Sequence, residues 1–294
     1  MSMFKQVDVF TNTKFKGNPV AVFFDADHLS KEEMQQIARW TNLSETTFIL
    51  KPSTPATSYK VRIFTPATEL SFAGHPTLGT CFALLEAKRI QVNSKGLIVQ
   101  ECGAGNVEIE PIGNLEDLNS IDLQLRVPRY DFHQVSDEAI EDISQLLGLP
   151  KDQFDTPVLV EIGPKWVVVR LKDGQSVLDL EPNHGALTDV SIKYGWTGLC
   201  TIGQHNDEGT KWEMRNFAPA EMVPEDPACG SGAGALGAYL GVHQKGGEGV
   251  YHISQGNKIN RDAHLVSTVK PRVDSEGFDV FVKGHAITTI TGFY

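Results

Sequence analysis

The chain has 294 residues, 40% of them hydrophobic and 21% charged, which is ordinary for a globular protein with a sizeable core. Its formal net charge of −11 argues against nucleic acid or an anionic membrane surface as the main partner. No apolar run approaches ~18 residues, and the start of the chain alternates like a strand rather than a signal peptide. We therefore expect a cytoplasmic protein that does not enter a membrane.

The cysteine and histidine residues follow no metal-binding or disulfide pattern. The four cysteines form no C-x-x-C pair, and the nine histidines form no H-E-x-x-H or similar spacing. We therefore predict no metal site, no disulfide framework and a reduced compartment.

The first hundred residues predict short strands and two helices. A Ser30 N-cap followed by Met34, Ile37 and Ala38 predicts an amphipathic helix. A second helix is predicted within 75–89. The strands, rich in Val, Ile, Phe and Thr, are "KQVDVF", "NPVAVFF", "TTFIL", "YKVRIFT" and "GLIVQEC". The elements do not alternate regularly enough for a parallel βαβ sheet, which favours the α+β class.

The chain then repeats itself. Residues 62–85, "RIFTPATELSFAGHPTLGTCFALL", correspond to 215–240, "RNFAPAEMVPEDPACGSGAGALGAYL". Both segments begin Arg-x-Phe-x-Pro and end in a glycine turn that enters an apolar helix. Two upstream blocks match in the same order, which indicates two copies of one unit, with a linker before a predicted helix at 136–147. We expect Arg62 and Arg215, matched by the repeat, to form structural ion pairs.

The repeat has a consequence for ligand binding. If the two copies face each other, the starts of two helices converge on one cleft, with unpaired N–H groups and positive dipole ends. Such a cleft suits a carboxylate or another anion. The G-x-G-x-x-G match at 232–237 does not follow a buried strand, so we do not interpret it as a dinucleotide site.

Four segments, "GNPVAV", "NLSETTF", "RIFTPATELSFAGHPTLG" and "EDPACGSG", closely resemble the phenazine-biosynthesis PhzF-like isomerase family. The resemblance runs from Phe4 to the terminal "GHAITTI". It implies a diaminopimelate-epimerase-like fold with two pseudo-symmetric subdomains, each a β-barrel or roll around a central helix. The first would span 1–127, joined by a returning C-terminal strand at 281–294, and the second 128–280. It also implies a homodimer and catalysis without a cofactor.

The family's catalytic positions fall on Glu45 in "SET", His75 in "GHPT" and Asp226 in "EDP". A substrate carboxylate is expected at the two helix starts and the adjoining loop, on Asn18, Gly74, His75, Pro76, Cys229, Gly230, Ser231 and Gly232. For Gly74 and Gly230 we expect unusual dihedral angles or close ligand approach. Related epimerases carry a cysteine before the glycine in each half, where this chain has Ala73 and Cys229.

Glu45 is the strongest candidate for the acid–base group. A carboxylate in a dry cleft can have its pKa raised toward neutrality, as is needed to take a proton from carbon and return it. His75, at the positive end of a helix, is expected to act as a neutral hydrogen-bonding group. These residues predict an isomerase that shifts a proton within a small carboxylate. The resemblance implies a cyclic amino acid of the trans-2,3-dihydro-3-hydroxyanthranilate type as the substrate.

Two alternatives remain open at this point. One is an amino-acid racemase or epimerase that uses Glu45 and Cys229 on opposite faces of a substrate carbon. The other is a non-catalytic protein that binds a small molecule.

Overall fold

The computed structural model describes residues 1–205, 210–273 and 275–294. These residues divide into two compact units. The first unit comprises Met1–Arg126 together with Lys283–Tyr294, and the second comprises Val127–Val282. Among the described residues, no helix is both long and apolar enough to cross a membrane.

The first unit contains two α-helices, α1 (Lys31–Thr41) and α2 (Gly74–Glu86). Its strands are β1 (Met3–Val9), β2 (Asn18–Phe23), β3 (Glu45–Leu50), β4 (Tyr59–Phe64), β5 (Glu69–Leu70), β6 (Ile98–Cys102), β7 (Gly105–Ile112), β8 (Asp122–Arg126) and β18 (Ala286–Phe293). These bounds confirm the five strands and two helices predicted in this part of the sequence.

The strands of the first unit pair in the order β18–β1–β2–β3–β4–β6–β7–β8, and β5 adds to β4. The pairs β2–β3 and β4–β6 are parallel, and the others are antiparallel. Helix α2 contacts β1, β2, β3, β8 and β18, and residues 75–85 are all buried. An apolar helix enclosed on all sides is what the uninterrupted run "LGTCFALL" requires.

Helix α1 lies outside this core and has well-defined ends. Ser30 is the N-cap, as the sequence predicted, and it forms a reciprocal capping box with Glu33. Met34 and Ala38 are its buried face, packed in a cluster with Phe23, Phe48 and Phe64.

The second unit repeats this pattern with added helices. Its α-helices are α3 (Asp137–Leu147), α4 (Gly174–Leu178), α5 (His184–Tyr194) and α6 (Gly230–Gly237), and α6 continues as a π-helix over Ala238–His243. Its strands are β9 (Asp131–Gln134), β10 (Val158–Glu161), β11 (Lys165–Arg170), β12 (Gly198–Gln204), β13 (Lys211–Ala218), β14 (Val223–Asp226), β15 (Gly249–Gln255), β16 (Ala263–Pro271) and β17 (Phe278–Gly284), whose last two residues fall in the first unit.

Strands of the second unit pair in the order β9–β10–β11–β12–β13–β15–β16, and β14 adds to β13. The pairs β11–β12 and β13–β15 are parallel, so the connections match those of the first unit. Helix α6 contacts β11, β12 and β16. The C-terminal segment, predicted as one strand near 281–294, forms two strands that are separated at His285.

The matched arginines form matched ion pairs, as expected from the repeat. Arg62 donates to both carboxylate oxygens of Glu69, from Nε at 2.7 Å and from Nη2 at 2.9 Å, and Arg215 donates to Glu225 in the same way at 3.0 and 2.8 Å. Each guanidinium also lies over the phenylalanine two residues later, Phe64 or Phe217. The two pairs differ in exposure, because the first is 26% exposed and the second only 5–7%.

The difference in exposure between the two ion pairs predicts unequal losses of stability when each arginine is replaced by methionine. Arg215→Met should lower the free energy of unfolding by about 3–5 kcal/mol, because it leaves the carboxylate of Glu225 buried without its partner. Arg62→Met should cost about 1 kcal/mol or less, because Glu69 stays partly hydrated and also contacts Lys31. Urea denaturation of both variants measures the difference, and equal losses would contradict the prediction.

Candidate active site

Glu45 stands at the point where the chain enters the core of the first unit. Helix α1 ends at Thr41, and Asn42 takes a left-handed conformation with φ of 53° that turns the chain toward β3. Glu45 is the first residue of β3 and pairs with Val20 of β2. The turn at Asn42 therefore determines the position of the Glu45 backbone, from which its side chain extends.

Hydrogen bonds between short polar side chains hold this turn and the start of β3. Thr41 and Thr46 join their hydroxyl groups at 2.8 Å, and Thr80 of α2 donates to Thr47 at 2.8 Å. The Ser44 hydroxyl donates to Oδ1 of Asn18 at 3.3 Å. Asn18, predicted to bind substrate, is buried and braces the residue next to Glu45.

The carboxyl group of Glu45 is removed from water. Its Oε2 atom is buried and makes no hydrogen bond within the described part of the chain. Burial raises the pKa of Glu45 from the ordinary value of 4.5 to about 7, although the neighbouring Ser44 hydroxyl opposes that rise. Glu45 can therefore exchange a proton near neutral pH.

His75, the histidine predicted for the site, lies next to the Glu45 carboxyl. Its Nε2 lies 3.4 Å from Oε2 of Glu45, and its side chain is 8% exposed. His75 is the second residue of α2, whose N-cap Ala73 contributes no side-chain hydrogen bond. The structure thus places Glu45 and His75 together, although 30 positions separate them in the sequence.

The glycines that begin the two central helices do not have the unusual dihedral angles expected of them. Neither Gly74 nor Gly230 has a positive φ, because each starts a right-handed helix. A side chain added at Gly74 would meet nothing within 4 Å. The space above Gly74 is open, and close approach of a ligand there stays a prediction. Pro76 follows, buried in the first turn of α2.

In the second unit, Gln255 holds the turn that carries Asp226 and Cys229. Its Nε2 donates to the carbonyl of Asp226 at 2.7 Å, and its Oε1 accepts from the N–H of Cys229 at 2.9 Å. The Asp226 carboxylate accepts from the N–H of Ala228 at 3.0 Å. Gln255 was not predicted from the sequence, because no local motif marks a residue 26 positions away from its partner Cys229.

Cys229 is the N-cap of α6. Its sulfur accepts from the N–H of Gly232 at 3.2 Å and lies 3.4 Å from the hydroxyl of Ser231. The cysteine side chain thus caps the start of α6. Burial, followed by the nearby charge of Asp226, raises the pKa of the Cys229 thiol well above its ordinary value, so the thiol is neutral.

Ser231 and Gly232 are each fixed by a neighbouring strand. The indole N–H of Trp166 in β11 donates to Oγ of Ser231 at 2.9 Å. A side chain at Gly232 would come within 2.4 Å of the Asn216 amide, so glycine is required for α6 to approach β13. Trp166 and Asn216 were not predicted, although Trp166 lies in the block "IGPKWVVVRL" that matches "KFKGNPVAVF".

The two units differ at the position of Glu45. Arg62 pairs with Phe48 and Arg215 pairs with Thr201, so the matched arginines equate Glu45 with Gly198. A side chain at Gly198 would lie 1.8 Å from the carbonyl oxygen of Phe217. The second unit therefore has no room for an equivalent acid, and the duplicated scaffold carries one such carboxylate.

The residues described hold no evident metal site. Within 1–205, 210–273 and 275–294, no three His, Cys, Asp or Glu side chains are grouped to bind a metal ion. In the first unit, the candidate residues offer a carboxyl, an imidazole and the N–H groups of a helix start. In the second unit, they offer a carboxylate, a thiol, a hydroxyl and the N–H groups of a helix start.

Comparison with known proteins identifies the family. The sequence model of the phenazine biosynthesis-like proteins, PhzC-PhzF, matches residues 7–292. The chain belongs to this family, as the motifs around Glu45, His75 and Asp226 had indicated.

Relatives extend over nearly the whole chain. "Antisense-enhancing sequence 1" of Schizosaccharomyces pombe is 48% identical, over 98% of this chain and 97% of that protein. The trans-2,3-dihydro-3-hydroxyanthranilate isomerase of Pseudomonas aeruginosa is 35% identical, over 90% of this chain and 89% of the enzyme. A Bacillus anthracis phenazine biosynthesis protein of the PhzF family superposes with a TM-score of 0.87 at 26% identity, covering 100% of this chain and 98% of that one.

These matches confirm the predicted fold class and make the protein an isomerase of the PhzF family. The fold is α+β, and in each unit several strands pack against one central helix, α2 or α6.

The raised pKa of Glu45 predicts a pH-dependent stability difference. Ionised Glu45 costs folding free energy above pH 7, and the cost disappears below about pH 4.5, where the carboxyl is protonated both folded and unfolded. Glu45→Gln should therefore be more stable than the wild type at pH 8, by on the order of 1–3 kcal/mol, and the advantage should shrink toward pH 5.

Urea denaturation across this pH range tests the prediction. The control is Glu32→Gln on the exposed face of α1, which water solvates in both states. A Glu45→Gln variant whose stability parallels the wild type at every pH would show that the Glu45 carboxyl is hydrated.

Proposed function

We propose that the protein moves a proton within a small cyclic carboxylate, without a cofactor, and that Glu45 is the acid–base group. The observation that carries this proposal is the buried carboxyl of Glu45, whose pKa of about 7 keeps both of its protonation states populated at neutral pH. A group that must accept a proton and then give it back needs both states at similar free energy.

The step requires only proton movement. The ionised carboxylate of Glu45 removes a proton from a ring carbon that is alpha or vinylogous to the substrate carboxylate. The electron pair of the broken C–H bond enters the conjugated system, and the double bonds shift. The protonated Glu45 then returns its proton to a different carbon, so the substrate is neither oxidised nor reduced.

Other residues receive supporting roles. We assign the substrate carboxylate to the hydroxyl of Ser231 and the N–H groups of Gly230 and Ser231, since the first N–H groups of a helix lack partners within it. The N–H of Gly232 is already bound by Cys229, so we leave it out of this set. His75 would hold the Glu45 carboxyl or a substrate oxygen, and Asp226 would bind a substrate ammonium group.

The substrate class follows from a relative. An enzyme 35% identical to this chain is named for trans-2,3-dihydro-3-hydroxyanthranilate, a cyclic amino acid with a carboxylate beside a conjugated ring. We propose a substrate of this type for the present protein. We further propose that it works as a homodimer, as the family resemblance implied, and that it is located in the cytoplasm, as expected from the sequence.

The state of Cys229 weighs against the racemase alternative. A two-base enzyme that runs in both directions must hold its second base deprotonated for half of the cycle. The Cys229 thiol has a pKa well above its ordinary value, with Asp226 adding to the cost of a thiolate. Its sulfur also serves as the cap of α6, which gives the cysteine a structural purpose.

Glu45→Gln should abolish catalysis while leaving the fold intact. With trans-2,3-dihydro-3-hydroxyanthranilate in deuterium oxide, the wild type should form isomerised product that carries solvent deuterium, measured by NMR. Turnover by Glu45→Gln should fall by about 10²–10⁴-fold, the usual share of general acid–base catalysis.

The chain offers a matched control in Glu213. This glutamate is also buried with a pKa raised to about 7, and it also lies 3.4 Å from a histidine, His205, but it is on β13 and outside the proposed site. Glu213→Gln should keep wild-type turnover. Equal activity of Glu45→Gln and wild type would disprove the role of Glu45.

Cys229→Ser should separate the single-base from the two-base reaction. Serine keeps an acceptor for the N–H of Gly232, so α6 stays capped, and turnover should remain within about threefold of wild type if the thiol transfers no proton. A loss of about 10²-fold or more, with unchanged thermal stability, would instead support proton transfer by Cys229.

A further inference from the structure

Trp166 makes a hydrogen bond that the proposed reaction does not yet explain. Its indole nitrogen lies 2.9 Å from Oγ of Ser231, and its side chain is only 3% exposed. The bond joins the start of β11 to the first turn of α6, 65 positions along the chain.

The strand alternation accounts for the direction in which Trp166 points. Its neighbours Val167 and Val169 belong to the hydrophobic cluster that includes residues of α3 and α5. Because successive side chains of a strand point to opposite faces, Trp166 and Val168 face the other way, and β11 contacts α6 there.

The chemistry of the indole group determines what Ser231 can do. An indole N–H can only donate a hydrogen bond, so Oγ of Ser231 must be the acceptor. The Ser231 proton then has to point to another acceptor. The nearby sulfur of Cys229 is 3.4 Å away and already accepts from the N–H of Gly232. An incoming carboxylate oxygen is a much stronger acceptor than this neutral sulfur.

We infer that Trp166 is a positioning residue that holds the Ser231 hydroxyl ready to donate to the substrate carboxylate. The inference rests on the proposed carboxylate-binding role of Ser231. Without the indole N–H, the hydroxyl would rotate among several acceptors, and binding would have to order it.

The hydrogen bond between Trp166 and Ser231 has no counterpart in the first unit. Trp166 pairs across the parallel strands with Gly198, and the corresponding pair in the first unit is Val20 with Glu45. The residue at the Ser231 position of the first unit is His75, the second residue of α2. Val20 has no side-chain group that could donate a hydrogen bond to His75. The repeated fold therefore does not require a donor at the position of Trp166.

A double-mutant cycle on the intact chain tests the inference. Binding of 3-hydroxyanthranilate, the aromatic analogue of the proposed substrate, is measured by calorimetry for wild type, Trp166→Phe, Ser231→Ala and the double variant. Trp166→Phe removes the donor and keeps an aromatic ring, so the dissociation constant should rise by about three- to tenfold. In the Ser231→Ala background the same change should have less than about a twofold effect, because the partner is gone.

Trp212 provides the matched control. It is also 3% exposed and in a strand of the second unit, but its indole nitrogen has no hydrogen-bond partner among the residues described. Trp212→Phe therefore removes the same atoms without breaking such a bond, and it should leave the dissociation constant unchanged.

The outcomes separate this inference from the proposed function. Weaker binding by Ser231→Ala but unaltered binding by Trp166→Phe overturns the role of Trp166 alone. An equal effect of Trp166→Phe in both backgrounds, or an equal effect of Trp212→Phe, shows that the indole only packs the core. Unchanged binding by Ser231→Ala, or no binding to the wild type, overturns the carboxylate assignment and this inference with it, while deuterium incorporation tests Glu45 independently.

Discussion

The desolvation of one carboxyl group is the constraint on which the functional argument depends. Water would stabilise the charged form of Glu45 and return its pKa to the ordinary acidic range. The fold prevents this by starting β3 inside the first unit, next to the start of α2, so that Oε2 is buried against His75. The buried Oε2 atom accepts no hydrogen bond from the described residues, so little opposes the rise of the pKa that burial causes.

The duplication preserved the scaffold and changed the chemistry. The bidentate pairs of Arg62 with Glu69 and of Arg215 with Glu225 occupy the same place in both units. At the starts of the central helices, however, histidine corresponds to serine and Ala73 to Cys229, and the acid Glu45 corresponds to a glycine. Because the steric clash at Gly198 leaves no room for a side chain, the asymmetry is built into the backbone packing of β12 against β13.

Cys229 shows how a reactive residue type can serve a structural purpose. A thiol at a helix start is often expected to ionise, because the helix dipole favours an anion. Here burial and the neighbouring Asp226 outweigh that effect, and the sulfur accepts the N–H of Gly232 instead. The side chain of Gln255 holds the same turn through hydrogen bonds to the backbone of Asp226 and Cys229. The rigid start of α6 that results is the setting in which the Trp166–Ser231 hydrogen bond has a defined direction.

The sequence by itself determined the elements whose signals are local. Neighbouring residues are enough to predict the helix cap at Ser30, the strands near the N-terminus and the repeated Arg-x-Phe-x-Pro segments. The motifs around Glu45 and His75 indicated the family. Tertiary structure alone decided that Glu45 lies against His75, that Cys229 caps α6, and that Gln255, Asn216 and Trp166 support the second helix start. The physical reason is that desolvation and hydrogen bonding depend on atoms brought together from distant parts of the chain, which no local pattern records.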